Sequence, residues 1–186
     1  LLGYKAMRHE GKITGLAARG NPEEYMDLMR EMVDYSDGKI IGKVGKYYRP
    51  FFSNFSDDLI KIIKTAKKED IAAAAQLHLE NLVVKIAKYY LKISPSKNIC
   101  MAGGVFANVR VNQKLMEIDG IQNVFIQPHM GDGGLALGAS IGIPFILKGN
   151  KSKLNNMFLG PKFSDKDIQQ VFHIFLQHLI THLFAY

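Results

Sequence analysis

Apolar and polar residues alternate along the chain in patterns that predict several helices. The longest pattern covers residues 68–91, where isoleucine, alanine and leucine recur at helical spacing among good helix formers. Residues 21–33 open with an Asn-Pro pair, which suits the N-cap and first helical positions, and they predict a second helix. Residues 56–66 open with Ser-Asp-Asp, a capping residue followed by carboxylates, and they predict a third.

Two short apolar runs in the second half of the chain predict buried strands, and each run ends in a glycine-rich turn. The first turn begins with Gly103-Gly104, and the second has the sequence Gly-Asp-Gly-Gly at residues 131–134. The predicted elements follow in the order strand 98–102, helix 107–118, strand 123–127 and helix 135–147, the last bent or ended by Pro144. This alternation predicts an α/β fold in which helices pack on a sheet. Both turns then lie at the carboxyl ends of strands, where such sheets bind ligands.

Glycine, proline and polar residues mark the remaining segments. Residues 4–20 are punctuated by glycines and predict a short strand with a loop. Residues 38–52 are apolar between Gly and Pro and predict a strand or an extended connector. A polar, basic linker is predicted at residues 148–156, which divides the chain into domains at residues 1–150 and 151–186.

The composition excludes several classes of protein. Of the 186 residues 47% are apolar, which is enough to form a core and argues against disorder or a fibre. The longest uncharged stretch, residues 133–147, is shorter than the roughly 18 residues of a membrane-spanning helix, so no membrane association is expected. The one cysteine, Cys100, excludes an intramolecular disulfide and indicates a reducing compartment, for which we expect the cytoplasm. Because Cys100 falls in a predicted buried strand, packing as a small apolar residue is favoured over a role as nucleophile.

The positive charge of the chain favours an anionic ligand. Lysine and arginine number 24 against 17 aspartates and glutamates, which gives a net charge of +7 with neutral histidines. The lysines between residues 39 and 88 are scattered rather than gathered in one basic block with aromatic residues between them. We therefore expect an anionic small molecule as partner and no nucleic acid.

The first glycine turn has two interpretations. Adjacent glycines, Gly103 and Gly104, let the backbone approach a phosphate or a ribose, and the start of the following helix supplies amide donors. Asn108 and Asn112 would lie one helical turn apart on one face of that helix. The same glycines would equally serve a tight connection from strand to helix with no ligand.

The second glycine turn adds an acidic residue. Asp132 can ligate a metal ion, while the backbone amides of Gly133 and Gly134 face anionic oxygens. Two such turns in tandem predict a site for a nucleotide and a cation. Glu80 on the long helix is a further candidate, for a ribose hydroxyl, and His129 is a candidate for the wall of the cleft.

Four blocks of sequence together resemble the carbamoyltransferases of the NodU/CmcH type, which include nodulation-factor and antibiotic O-carbamoyltransferases. The blocks are HEGKITGLAARG at residues 9–20, AGGVFANVRVN at 102–112, QPHMGDGGLALGAS at 127–140 and FLGPKFSD at 158–165. The resemblance implies one lobe of the actin-like ATPase superfold, similar to the protein that transfers threonylcarbamoyl groups to tRNA, followed by an adenylate-forming domain. It also implies that carbamoyl phosphate and ATP yield a carbamoyl-adenylate, whose carbamoyl group passes to a hydroxyl of a sugar or secondary metabolite. A divalent metal, expected to be Fe²⁺, helps to hold the adenylate.

The resemblance also assigns roles to individual residues. Residues of both turns are assigned to nucleotide binding, namely Gly103, Gly104, Val105, Asn108, Gly131 and Gly133. Asp132 matches the metal-ligating aspartate and is assigned to catalysis. His9 and Lys12 of the His-Glu-Gly-Lys block are assigned to the catalytic cleft, with Lys12 as a point charge for phosphate. A structural role is the alternative for His9 and Glu10.

The chain departs from that family at both ends. The paired metal histidines of the family, spaced His-x-x-x-His, have no counterpart before His9. The same spacing at His178 and His182 lies beyond the FLGPKFSD block, in a segment that predicts an amphipathic helix rather than a metal site. We therefore expect an incomplete piece of a larger enzyme that is inactive on its own. The alternative is an ATP-binding module of the same superfold, sugar-kinase-like or regulatory, without carbamoyl chemistry.

Overall fold

The computed structural model describes residues 1–6, 8–42, 46–47, 54–151, 155–158 and 160–183. The chain divides into two compact units, Leu1–Ser140 and Ile141–Tyr186. Within the described residues, the first unit consists of helices and two small sheets, which is an α/β arrangement. The division into functional domains at residue 150 stays a prediction.

The described residues form helices, short strands and two 3₁₀ turns. In chain order they are α1 (Glu10–Ala17), a 3₁₀ turn (Glu23–Tyr25), α2 (Met26–Met32), β1 (Val33–Ser36), β2 (Lys39–Gly42), α3 (Asp57–Thr65), α4 (Lys68–Ile93), β3 (Asn98–Met101), a second 3₁₀ turn (Gly104–Ala107), α5 (Val109–Met116), β4 (Asn123–Ile126), α6 (Gly134–Lys148) and α7 (Asp165–Leu183). The predicted order of helix, strand, glycine turn, helix, strand, glycine turn and helix is confirmed from α4 to α6.

The helices with the clearest sequence signals are confirmed. Helix α3 begins where the Ser-Asp-Asp sequence predicts, because the Ser56 hydroxyl accepts a hydrogen bond from the Leu59 amide at 3.2 Å. Helix α6 does not end at Pro144 but continues to Lys148. Proline lacks a backbone N–H and so removes one hydrogen bond from a helix. Helical hydrogen bonding nevertheless continues after Pro144, since the Gly149 amide donates to the carbonyl of Phe145 at 2.9 Å.

The prediction of a strand and loop at residues 4–20 is wrong, because the segment contains helix α1 and no strand among its described residues. Glycine costs up to about 1 kcal/mol in a helix relative to alanine, so Gly11 and Gly15 disfavour α1 on local grounds. Packing against α4 overrides that local preference. The close approach continues at Gly20, where an added Cβ would lie only 2.0 Å from the carbonyl oxygen of Glu69 at the start of α4.

A hairpin of β1 and β2 follows α2. Helix α2 ends at Met32, just before the predicted limit, because Val33 already pairs with Gly42. The loop between the strands is Asp37-Gly38, and both residues have positive φ, 49° and 80°, as a type I′ turn requires. Of the strand or connector predicted at residues 38–52, Lys39–Gly42 is confirmed as strand, and residues 43–45 and 48–52 lie outside the described residues.

Contacts with α4 hold this hairpin in place. The His78 Nε2 atom lies 2.5 Å from the Val33 carbonyl oxygen, and Lys85 Nζ lies 3.0 Å from Asp34 Oδ1. The backbone N–H of Tyr35 and the ammonium of Lys85 both hold the pKa of Asp34 below its usual value. Helix α4 therefore contacts both the hairpin strand β1 and helix α1.

Strands β3 and β4 form a parallel pair, with Asn98 opposite Asn123 and Met101 opposite Ile126. The prediction that both strands are buried is wrong for one face of the pair. Met101 is buried, whereas Cys100 and Phe125 are exposed. A two-stranded sheet with helices on one side covers alternate residues only, which is why Cys100 does not pack as a core residue.

The core beside this sheet is built mainly from α5. Met101, Val111, Leu115 and Ile118 form a buried cluster. Partly buried apolar side chains of α4, β3 and β4 pack around it, among them Leu79, Val83, Ile99, Val124 and Ile126. The cluster fixes α5 against the sheet and so fixes the turn that leads into α5.

The second unit contains the end of α6 and helix α7. A capping box begins α7, in which the Ser164 Oγ accepts from the Asp167 amide at 3.2 Å and Asp167 Oδ2 accepts from the Ser164 amide at 2.8 Å. The helix predicted near the C-terminus is thus confirmed as far as Leu183, and the side chains of residues 165–180 are exposed. Leu159, the side chain of His182 and residues 184–186 lie outside what the structure describes.

Among the described residues, the structure contains no helix with the length and apolar character needed to cross a bilayer.

Leu115→Ala should destabilise the protein, because Leu115 is 1% exposed at the centre of the core cluster. Deleting a buried leucine side chain leaves a cavity and costs about 2–5 kcal/mol in the free energy of unfolding. Met116→Ala is the matched control, since Met116 is the next residue of α5 and is 63% exposed, and it should change that free energy by less than about 0.5 kcal/mol. Urea unfolding followed by circular dichroism would measure both, and equal effects would contradict this description of the core.

Candidate functional site

The parallel pairing of β3 and β4 brings the two glycine-rich turns together at one edge of the sheet. We define the first glycine turn as residues 102–108 and the second as residues 128–134. The Gly103 amide of the first turn donates to the carbonyl oxygen of Met130 in the second at 2.7 Å. Just before them, the Gln127 amide donates to the Met101 carbonyl at 2.9 Å. The two turns that the sequence singles out are therefore neighbours.

The first glycine turn has open space in front of its glycines. Gly103 has φ of 109°, which residues with a Cβ rarely adopt, so glycine is required there by the backbone itself. An added Cβ at Gly103 or Gly104 would meet no atom within 4 Å. Gly104 has no positive φ, and its lack of a side chain leaves room for another molecule.

Asn108 ends the first turn and caps α5. Its Oδ1 accepts hydrogen bonds from the amides of Arg110 and Val111, each at 3.2 Å. Its Nδ2 donates to Gln76 Oε1 at 2.8 Å, and Gln76 Nε2 lies 3.2 Å from Asn108 Oδ1, so the two amides pair face to face. The residue assigned to nucleotide binding thus has a structural role that can be stated independently of any ligand.

Glu80 supports this amide pair from α4. Gln76 Nε2 also donates to Glu80 Oε1 at 2.8 Å, and Arg110 Nε lies 3.8 Å from the same oxygen. Glu80 is only 6% exposed, so its carboxylate serves the network within the protein. The exposed Arg110 supplies the compensating charge that a buried carboxylate needs.

A cavity of about 400 Å³ lies between α1, α4 and the first glycine turn, and we call it the α1–α4 cavity. From the first turn, Gly104, Val105 and Asn108 line it. Helix α1 contributes further walls, including Glu10 and Thr14. Apolar surface dominates, and the amide pair of Gln76 and Asn108 provides polar groups at one side.

The second glycine turn is shaped by His129, which has a positive φ of 54°. The Gly134 amide donates to the Gly131 carbonyl at 3.0 Å, and the Leu135 amide donates to the Asp132 carbonyl at 3.1 Å. A Cβ at Gly134 would lie 2.3 Å from the His129 carbonyl oxygen, and one at Gly133 would lie 2.2 Å from the His129 ring. Gly134 is therefore needed for the fold of the turn, whereas a side chain at Gly133 would require only that the His129 ring move.

A second cavity, of about 560 Å³, lies between the two turns, and we call it the inter-turn cavity. Gly103, Gly104, Gly131 and Asp132 all line it, so the structure brings together four of the residues assigned from sequence. Gly104 lines both cavities. The carboxylate of Asp132 is exposed, as a residue that receives a ligand must be.

His9 and Lys12 lie apart from these two cavities. His9 precedes α1, where its Nδ1 accepts from the Lys5 amide at 3.0 Å and its ring meets that of Tyr4 edge-on at 6.2 Å. Lys12 is exposed on α1 and lines neither cavity. Of the His-Glu-Gly-Lys block, Glu10 and Gly11 are the residues that reach the α1–α4 cavity.

The described residues do not form a metal site by themselves. No three histidine, cysteine, aspartate or glutamate side chains in the described parts of the chain are grouped so that they could hold an ion. Asp132 alone would supply one carboxylate, which is fewer than the three or more protein ligands typical of a transition-metal site.

Two glutamines belong to the site although sequence analysis assigned them no role there. Gln76 contributes to the α1–α4 cavity, and Gln127 lines the inter-turn cavity next to Asp132. The position of Gln127 immediately after β4 is a signal, since side chains at the carboxyl ends of strands surround ligands in α/β folds.

Comparison with known proteins agrees with this geometry. Residues 1–141 match the family described as the carbamoyltransferase N-terminus, a range that contains both glycine turns and both cavities. The chain belongs to the carbamoyltransferase family. The resemblance identified from the four sequence blocks is thereby confirmed at the level of the family.

Individual relatives cover nearly the whole chain. The nodulation protein NolNO of Sinorhizobium fredii is 29% identical over 91% of the chain, and NolO of Bradyrhizobium diazoefficiens is 26% identical over 89%. A probable bifunctional tRNA threonylcarbamoyladenosine biosynthesis protein of Methanosarcina mazei is 29% identical over 63% of the chain and 22% of its own length. The carbamoyltransferase chain described here spans 25% of NolNO and 31% of NolO.

Two glycine positions of α6 provide a test of the second glycine turn. Gly134→Ala should lower the free energy of unfolding by about 1–3 kcal/mol, because the new Cβ would overlap the His129 carbonyl and the backbone would have to shift. Gly138→Ala is the matched control one helical turn later, where nothing lies within 4 Å of the added Cβ. It should be neutral or stabilising by up to about 1 kcal/mol. Thermal unfolding followed by circular dichroism distinguishes them, and a tolerated Gly134→Ala would refute the turn geometry.

Proposed function

We propose that the protein to which this chain belongs transfers a carbamoyl group from carbamoyl phosphate to a hydroxyl of a sugar or secondary-metabolite acceptor. In this proposal carbamoyl phosphate loses its phosphoryl group to water as phosphate, and the carbamate oxygen bonds to the α-phosphorus of ATP as pyrophosphate leaves. The acceptor hydroxyl then attacks the carbamoyl carbon of the resulting carbamoyl-adenylate, and AMP leaves. Family membership supports carbamoyl transfer in general. The single observation that carries the proposal further is the meeting of both glycine turns and Asp132 around the inter-turn cavity.

The backbone of the first glycine turn would receive the nucleotide. Gly103 and Gly104 have open space where side chains would otherwise stand, so a phosphate or ribose can approach the main chain. Val105 and Asn108 would contact the same nucleotide from the α1–α4 cavity, and Gly131 would support it from the inter-turn cavity. A nucleotide-binding role for Gly133 stays a prediction, since Gly133 lines neither cavity. Positioning of the two substrates, rather than a covalent intermediate with the protein, would lower the barrier.

Asp132 would act as a single ligand of a divalent cation, for which we propose Fe²⁺. Further ligands would come from residues other than the described ones, because the described residues hold no complete set. Catalytic roles for His9 and Lys12 stay predictions, since both lie away from the cavities that carry the proposal.

The fold and the location are also part of the proposal. We propose that residues 1–150 belong to a lobe of the actin-like ATPase superfold and that residues 151–186 begin an adenylate-forming domain. Similarity to the threonylcarbamoyladenosine biosynthesis protein supports the first of these assignments. The single cysteine of the chain supports a reducing compartment, and we propose the cytoplasm.

Product analysis with the full-length protein tests the reaction. With ATP, carbamoyl phosphate and a hydroxyl acceptor, AMP and pyrophosphate should appear, and the 186-residue chain alone should form neither, because the additional metal ligands and the second domain are needed. Omitting carbamoyl phosphate is the control. ATP consumption that does not depend on carbamoyl phosphate would contradict carbamoyl transfer and would favour an ATP-binding module such as a sugar kinase.

Asp132→Asn separates function from folding. The substitution keeps the size of the side chain and removes its charge, so stability should change by less than about 1 kcal/mol for this exposed residue. Bound metal and carbamoyl transfer should both fall at least tenfold, if a ligand is worth about 1.4 kcal/mol or more. Asp119→Asn, at an exposed aspartate just after α5, is the matched control and should change neither. Equal metal content and turnover in Asp132→Asn would refute the assignment.

A further inference from the structure

Gln127 carries a buried hydrogen-bond donor that the protein leaves without an acceptor. Its Nε2 atom is buried and has no hydrogen-bond partner among the described residues, although its backbone amide is bonded to the Met101 carbonyl at 2.9 Å. A buried donor without an acceptor costs about 1–3 kcal/mol, so such atoms are rare in folded proteins. The backbone of Gln127 is thus satisfied within the fold, and its side chain is not.

The position of Gln127 connects this unsatisfied donor to the inter-turn cavity. Gln127 lines that cavity together with Gly103, Gly104, Gly131 and Asp132. The Tyr35 Oη and the Asn112 Oδ1 are also buried without partners, but neither residue lines this cavity. Of these three residues, therefore, Gln127 is the one that lines the inter-turn cavity. Its Nε2 atom is itself covered, so the side chain would rotate to meet a ligand there.

We propose that Gln127 is a substrate-binding residue whose side-chain N–H donates a hydrogen bond to a phosphate oxygen of the ligand in the inter-turn cavity. This inference rests on the proposed function, and it adds a residue that the glycine turns and Asp132 do not account for. A phosphate oxygen is the acceptor that fits, because the adjoining Gly103, Gly104 and Gly131 leave space for a phosphate next to the backbone. ATP and carbamoyl phosphate both carry such oxygens, and binding measurements with each alone tell them apart.

If Gln127 binds the ligand, replacing it should weaken binding without destabilising the ligand-free protein, which a structural role would not produce. Replacing an unsatisfied donor by an apolar group of similar shape removes its burial penalty in the free protein. Gln127→Met should therefore leave the unfolding midpoint of the ligand-free protein unchanged or raise it. The same substitution should weaken binding of ATP or of carbamoyl phosphate about tenfold, because a hydrogen bond to a charged acceptor is lost.

The experiment uses the full-length protein and a matched control. Gln122 immediately precedes β4, as Gln127 immediately follows it, and Gln122 is exposed and does not line the cavity. Gln122→Met should change neither the unfolding midpoint nor either affinity. Calorimetric titration with ATP alone and with carbamoyl phosphate alone gives the affinities, and thermal unfolding without ligand gives the midpoints. A second variant, Gln127→Glu, keeps the shape but places a negative charge near the phosphate, so it should weaken binding more than Gln127→Met does.

The outcomes separate this inference from the proposed function. If Gln127→Met binds one of the two compounds more weakly and its unfolding midpoint is not lowered, the inference is supported. The compound whose affinity falls is then the source of the phosphate. Unchanged affinities for both compounds, in a protein that still transfers carbamoyl groups, overturn the inference alone. If Gln127→Met lowers the unfolding midpoint and Gln127→Glu binds both compounds normally, Gln127 has a structural role, and the inference is overturned as well. Failure of the wild-type protein to bind either compound overturns both.

Discussion

The parallel pairing of β3 with β4 is the constraint on which the candidate site depends. Parallel neighbours need a crossover connection, which here is the first glycine turn followed by α5. Both strands then run in the same direction, so the segments that follow them leave the sheet at the same edge. In an antiparallel pair the turns at residues 102–108 and 128–134 would lie at opposite edges. The inter-turn cavity and the bond from Gly103 to Met130 exist only because of the parallel register.

Several residues of the site serve the fold and the cavities at once, which affects how their substitution can be interpreted. Asn108 caps α5 and pairs with Gln76, which is in turn held by the buried Glu80. The amide pair is therefore fixed before any ligand arrives, and a ligand that uses it would not have to order it. Replacing Asn108 would remove the helix cap together with the group proposed to bind the nucleotide, so the two effects could not be separated. Asp132 differs, because its side chain is exposed and its carbonyl, rather than its carboxylate, closes the turn.

How much of this could be predicted from sequence depends on whether the signal was local. Helix α4 was predicted because apolar residues recur at helical spacing over residues 68–91. The glycine turns were predicted because adjacent glycines follow short apolar runs. Helix α1 was missed because its glycines argue against a helix and only packing against α4 outweighs them. The Asp-Gly signal at residues 37–38 would have predicted the hairpin of β1 and β2. Gln127 has no local signature of an unsatisfied donor, since that property exists only once the surrounding chain is folded.

Strands β3 and β4 have one exposed face, which is why their burial was overestimated from the sequence. The same face forms part of the inter-turn cavity. A short apolar run such as residues 98–102 has the same composition whether one face or both are covered. In the structure one face packs on the α5 core, while Cys100 and Phe125 of the other face are walls of the inter-turn cavity. That cavity is bordered mostly by apolar side chains and glycines, so water provides less competition there for a hydrogen bond than at an open surface. Gln127 and Asp132 are the polar side chains at this cavity that follow β4, and under the proposals above they would orient the ligand as donor and acceptor.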